Sequence, residues 1–106
     1  MISRHWSGLA LREHAESYQQ HLATDTFPAL RTIPGFVGAA AHARPVPDGV
    51  EFVVITTWES LEAIRAFAGD DLEAAVVPVA VQAIMLRYDT RARHYDIAVS
   101  EVVVNG

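Results

Sequence analysis

Five histidines, His5, His14, His21, His42 and His94, are the side chains of this sequence that titrate near neutrality and could move a proton. His14, Tyr18 and His21 recur at i, i+4 and i+7, so a helix through them presents all three on one face. Along its axis His14 and His21 stand about 10.5 Å apart. That is too far for one metal ion with ligand bonds of about 2 Å. The sequence has no HxxxH pair and no cysteine, so no metal site is expected. His5, His21 and His94 remain as candidate bases for proton abstraction. His5 could equally be a hydrogen-bonded residue on a sheet face, and His94 an interface residue.

Four aromatic residues could line an apolar pocket around such a base: Tyr18, Phe27, Trp58 and Phe67. Trp58 also suits a core seam at the end of a strand, and Phe67 suits plain core. Arg4 and Arg44 read as surface or interface charges rather than anion clamps. No serine sits in a nucleophile elbow, and Gly35 and Gly38 form no GxGxxG loop.

These residues need elements to hold them. Residues 2–8 alternate with period two and predict a first strand. Leu11, Ala15, Tyr18 and Leu22 predict a helix to about Ala23, and Phe27-Pro28 a second short turn. Pro34-Gly35 breaks the chain before a strand over 36–44. Asp48-Gly49 signals a hairpin turn into the β-branched run 50–58. Ser60 caps a helix with Leu61, Ile64 and Phe67 on its apolar stripe, and Gly69 ends it. Asp70 and Glu73 suggest a capping box opening another short helix, and Pro78 a helical segment over 79–85. A last strand is expected over 87–99, with a β-prone tail over 99–106.

The order β-α-β-β-α-β predicts one ferredoxin-like α+β domain over 1–106, an antiparallel sheet with helices on one face. In the third strand Phe52, Val54, Thr56 and Trp58 face one way, and Val53, Ile55 and Thr57 the other. Neither set is charged, so the face without helices needs a cover. A second copy of the sheet about a two-fold axis supplies it, and a homodimer is expected. With 8 Lys+Arg against 13 Asp+Glu, the net charge of −5 argues against nucleic acid or an anionic membrane. No apolar run reaches the roughly 20 residues of a membrane span, and residues 1–6 show no signal-peptide core. A cytoplasmic protein is expected.

The stretch from Phe52 to Gly69, FVVITTWESLEAIRAFAG, resembles the strand-to-helix segment of the antibiotic biosynthesis monooxygenase family. Pro34-Gly35-Phe36, His94-Tyr95 and the opening Met1-Ile2-Ser3-Arg4-His5-Trp6 are similar to uncharacterised bacterial members, so the resemblance spans about residues 2–98. It implies a dimeric α+β barrel. The family includes cofactor-free quinone-forming oxygenases, haem-degrading enzymes and signalling or detoxifying proteins. Trp58 matches a tryptophan of the quinone-forming branch. Its asparagine and tyrosine partners fall at Val54 and Ile64 here. The haem-degrading branch would place a tryptophan at Phe67 and a ligating histidine near Val77, and this chain has neither.

The function expected from residues and resemblance together is cofactor-independent oxygenation of a small aromatic or polycyclic phenol or anthrone. Two other classes share the pocket: a non-catalytic ligand-binding or stress-related dimer, and a non-oxidative lyase or isomerase.

Overall fold

The computed structural model describes residues 1–104. Its elements are β1 (Ile2–Ala10), α1 (Ala15–His21), α2 (Phe27–Leu30), β2 (Phe36–Val46), β3 (Gly49–Trp58), α3 (Leu61–Ala68), α4 (Val79–Gln82), β4 (Met85–Tyr88) and β5 (Arg93–Asp96). All sheet pairings are antiparallel, in the order β2-β3-β1-β4, with β5 also on β1. The fold is the expected ferredoxin-like α+β arrangement, with helices gathered on one sheet face.

The period-two pattern decides which side is buried. Phe52, Val54, Thr56 and Trp58 of β3 face the helices and are buried. Register pairs them with Gly8, Trp6, Arg4 and Ile2 of β1 on the same face. The core divides around this row. One cluster joins Phe52, Val54, Tyr18, Leu22, Val81 and Met85; the other joins Ile2, Leu30, Trp58 and Ile64. Ser60 Oγ accepts from the Ala63 N–H to start α3, and Gly69 ends it at φ 84°. Gly35, at φ 89°, lets the chain pass over Ala63, where a Cβ would sit only 2.6 Å from the Ala63 Cβ.

The structure corrects the sequence reading in four places, the last of them the length of α4. First, the helix after β1 does not stop near Ala23. A 3₁₀ turn (Arg12–His14), α1, a π-helical stretch (Leu22–Thr26) and α2 follow without interruption. Pro28 has no N–H to give the carbonyl four residues earlier, and the helix widens just before it. Thr24 Oγ1 also donates back to the Gln20 carbonyl at 2.8 Å, a bond that bends helices.

Second, Asp70 and Glu73 open no helix. The Asp70 carboxylate accepts from Arg65 (2.9 Å), and Asp71 accepts two bonds from Arg91 (2.8 and 2.9 Å). In a helix the Ala74 carbonyl would look to residue 78, and Pro78 has no donor. Residues 70–73 instead form a turn, closed by the Ala74 N–H on the Asp71 carbonyl (3.0 Å), and Ala74 then bridges to Arg91.

Third, the last strand is two. The Asp89 N–H donates to the Ser7 carbonyl (2.9 Å), and the chain then leaves β1. Ala75 N–H donates to the Thr90 carbonyl (3.0 Å), and Ala92 N–H to the Glu73 carbonyl (2.8 Å). The chain returns to β1 as β5. Of the tail expected to be β-prone, residues 99–104 form no strand, and Asn105 and Gly106 lie outside the described residues. Helix α4 is also shorter than the segment expected over 79–85.

The row of β3 residues is the mechanical centre of this arrangement. Phe52→Ala should lower unfolding free energy by about 3–5 kcal/mol, because Phe52 has no exposed surface and the site cannot collapse around the gap. Arg91→Ala breaks only an exposed ion pair and should leave the urea midpoint nearly unchanged.

Candidate functional site

Between the helix-facing side of the sheet and the widened helix lies a cavity of about 310 Å³. Trp6 and Val54 come from the sheet, Tyr18 and Phe27 from the helical run, and Phe67 from α3. Residues Val76, Val77 and Pro78 of the segment before α4 close another side. The wall is therefore apolar and aromatic. Tyr18 packs edge-on against Phe52 at 4.9 Å and lies 6.4 Å from Trp6. Trp6 lies back over Gly8, where a Cβ would come within 2.7 Å of the indole. Its Nε1–H donates to the Asp89 carbonyl at 2.8 Å.

Polar groups on this wall are few. His21 borders the cavity, and its Nδ1 lies 3.3 Å from Asp25 Oδ2. A carboxylate at Nδ1 orients the ring and leaves Nε2 as the acceptor, the arrangement a general base uses. Burial pushes the Tyr18 phenol far above its ordinary range, so Tyr18 stays a neutral wall.

Arg4 is the second polar group, and it is buried, with 4% of its surface exposed. Its Nη1 donates to the Leu72 carbonyl and to His94 Nε2 (2.7 Å), and its Nη2 donates to the Ala74 carbonyl (2.8 Å). Its guanidinium carbon lies 5.6 Å from the centre of the Phe67 ring. Burial lowers the Arg4 pKa from its ordinary 12.5, with the Glu73 charge opposing the shift. Arginine nevertheless stays charged in proteins.

A guanidinium has only donors, so His94 Nε2 must accept and the ring must be neutral. Burial first, then the Arg4 charge, lowers the His94 pKa, while Glu73 raises it.

The predicted site residues are thus separated. His21, Tyr18, Phe27 and Phe67 meet at the cavity. Trp58 does not border it. That ring is sealed between Phe36 (5.2 Å) and Phe67 (6.1 Å), and its Nε1–H donates to Thr56 Oγ1 at 2.8 Å. His94 sits behind Arg4 rather than on the wall. His5 faces the opposite side of the sheet, 2.8 Å from Ser3 Oγ and edge-on to Tyr95 at 4.9 Å. Desolvation lowers its pKa too. Arg4 is a correction: it is neither a surface nor an interface charge. Trp6 was not among the expected wall residues. Both carry a signal in the strand alternation, because Ser3, His5 and Ser7 form the polar face and leave Ile2, Arg4 and Trp6 to the core.

The sequence model of the antibiotic biosynthesis monooxygenase family matches residues 10–76, well over half of the chain. The protein belongs to this family. No curated protein sequence matches it. Solved structures share the fold at low identity. A Bacillus cereus protein described as an antibiotic biosynthesis monooxygenase is 15% identical, with TM-score 0.68 over 99% of this chain and 98% of its own. The haem-degrader of Mycobacterium tuberculosis, solved with two haems in its active site, is 18% identical, with TM-score 0.63 over 96% and 100%. A monooxygenase from the ActVA-Orf6 gene of Streptomyces coelicolor, in complex with nanaomycin D, is 17% identical, with TM-score 0.62 over 99% and 92%.

Where the haem-degrading branch would carry its ligand, this family member presents Val76, Val77 and Pro78 to the cavity. None has a ligating side chain, so these residues do not fit haem ligation there. Among the described residues no group of three His, Asp or Glu side chains is placed to hold a metal ion, and no helix is long and apolar enough to cross a membrane.

The Arg4–His94 pair has a signed consequence. A folded-state pKa below 6.5 means that the unfolded chain binds more protons in that window. Stability is therefore full above about pH 6.5 and falls with pH, as the native ring, buried and beside Arg4, resists protonation while Glu73 offsets part of the effect. Melting temperature should drop from pH 7 to pH 5, and the drop should be smaller in His94→Gln. His5 contributes in the same direction and should leave a residual slope.

Proposed function

We propose that the protein is a cofactor-independent monooxygenase that oxidises a small aromatic or polycyclic phenol or anthrone in this cavity. The observation that carries the reading is an apolar aromatic chamber with one imidazole on its wall, oriented by a carboxylate. In such a chamber His21 Nε2 takes a proton from the substrate, and the wall shields the resulting anion from bulk water. The anion passes one electron to dioxygen. The radical pair combines to a hydroperoxide at carbon. Its O–O bond then breaks, and the second hydrogen on that carbon leaves in water. The balance is CH₂ + O₂ → C=O + H₂O, and the substrate supplies all the electrons. Tyr18, Phe27 and Phe67 stack against the rings. Trp58 backs Phe67, and His5 and His94 stand outside the chamber.

The open face of the sheet supports a second part of the reading, a homodimer. Val53, Ile55 and Thr57 of β3 share that face with Ala40 and His42 of β2, His5 of β1 and Tyr95 of β5. Tyr95 is half exposed. An apolar strip of this kind is covered most simply by the same strip of a second copy.

One observation favours a second reading, ligand binding without turnover. Val54 stands where the quinone-forming branch has an asparagine, so the wall lacks that polar contact.

Oxygen uptake decides between them. Protein treated with chelator and given an anthrone should consume oxygen saturably, and His21→Ala should lose roughly 10²–10⁴ in rate. Binding of the anthrone with no oxygen consumed would establish the second reading. Sedimentation should give twice the 11.6 kDa of the chain, and Ile55→Glu should halve it.

A further inference from the structure

Arg4 is unusual in having no acid. Among the described residues no carboxylate lies within ion-pair distance of it, and Glu73 acts on it only through space. Its hydrogen-bond partners are two carbonyls and a neutral imidazole, so the charge is solvated but not neutralised. A buried cation without a counter-charge is costly.

The guanidinium also has donors left over. Nη1 and Nη2 account for three hydrogen bonds, while Nε–H and the second Nη2 hydrogen have no partner among the described residues. No buried side-chain nitrogen or oxygen there lacks a partner, so the Nε–H is open rather than sealed. The space that Arg4 borders is the cavity. Its Nε–Nη2 edge is the edge that binds a carboxylate or phenolate in a planar fork. All eight basic residues of the chain are arginines, and Arg4 is the one on this wall.

We propose that Arg4 is an oxyanion-binding site on the cavity wall, and that the ligand is a planar apolar molecule bearing an ionised oxygen, phenolate or carboxylate. This deepens the oxygenase reading by naming the substrate's charge, yet it is tested by binding alone. A substrate held here is bound in its anionic form, with its rings against Phe27 and Tyr18. The strap over 72–74 and His94 keep the guanidinium in place, so the free edge is preformed.

The test uses naphthalene-2-carboxylate and its neutral isostere naphthalene-2-carboxamide, titrated calorimetrically at pH 8, where ordinary imidazoles are neutral. The wild-type protein should prefer the carboxylate by about tenfold or more, the range of a charge-assisted hydrogen bond. Arg4→Gln should bind the two alike, and Arg4→Lys should keep part of the preference. A second probe, 2-naphthol, separates the sources of the oxygen. Appearance of the naphtholate absorption at a pH where the free phenol is neutral assigns the site to phenolates; a carboxylate preference without it assigns carboxylates. If Arg4→Gln does not fold, the wild-type titrations still decide. Equal affinity for the carboxylate and carboxamide with no naphtholate signal, or no binding of either anion, overturns the proposal. Oxygen uptake is independent of these results, so a protein that binds the anion without consuming oxygen refutes the oxygenase and leaves the anion site standing.

Discussion

One buried charge organises this fold. Placing Arg4 on the helix side of the central strand takes a guanidinium out of water, and that is tolerated only if its donors meet acceptors. The acceptors come from two distant parts of the chain. Leu72 and Ala74 offer carbonyls, and His94 of β5 offers a ring nitrogen. The carbonyls that serve Arg4 are ones that a helix would have used, so the segment around 72–74 stays a turn leading into a bridge. The same segment then has free edges for Thr90 and Ala92, which draw the chain away from β1 between β4 and β5. The break in the last strand and the neutrality of His94 go with solvating one side chain, which adds to Pro78 in keeping a helix from forming after Gly69.

The cavity exists because two layers over the sheet do not meet. On one side the helical run from Arg12 to Leu30 crosses β3 and widens before Pro28. On the other, the strap and α4 are anchored by Arg4 and by Val81 in the core. Large rings fill the floor between them, and Trp6 folds over Gly8 instead of reaching further up. The chamber left between is apolar because the strand, the helices and the Val76-Val77-Pro78 segment all turn hydrocarbon or aromatic side chains to it. Its polarity is concentrated in a guanidinium and in the imidazole beside Asp25. In the proposed reaction the two act separately: the fixed positive charge favours an anion, and the imidazole accepts the proton that makes one.

Some of this was legible in residue order. Strand β3 carries its own evidence in the alternation from Phe52 to Trp58, and α3 is bounded by Ser60 and Gly69, each acting on its immediate neighbours. The cavity wall was half legible, since Tyr18 and His21 share a helix face and Phe67 lies on an apolar stripe. What could not be read locally was everything that depends on Arg4. Its partners lie 68, 70 and 90 residues away. Without them a strand arginine belongs at the surface, because burying it alone would cost more than its packing returns. Trp58 had two readings, a core seam and a ligand wall, for a different reason. A tryptophan at a strand end fits a wall or a seam equally well, and only the positions of Phe36, Phe67 and Thr56 decide for the seam.

The two faces of β1 divide the protein's tasks by a shift of one residue. Arg4 and Trp6 point to the chamber; His5 and Ser7 point to the open face. A slip of one position would put the guanidinium on the open face and the His5 ring in the chamber. The register is held against that slip on both flanks. Toward β3, Ile2 and Gly8 pair with Trp58 and Phe52, neither of which has exposed surface. Toward β5, Arg4 pairs with His94 both in the ladder and through its side chain. The interaction that solvates the buried charge is therefore also one that fixes which histidine faces outward, and with it the make-up of the open face.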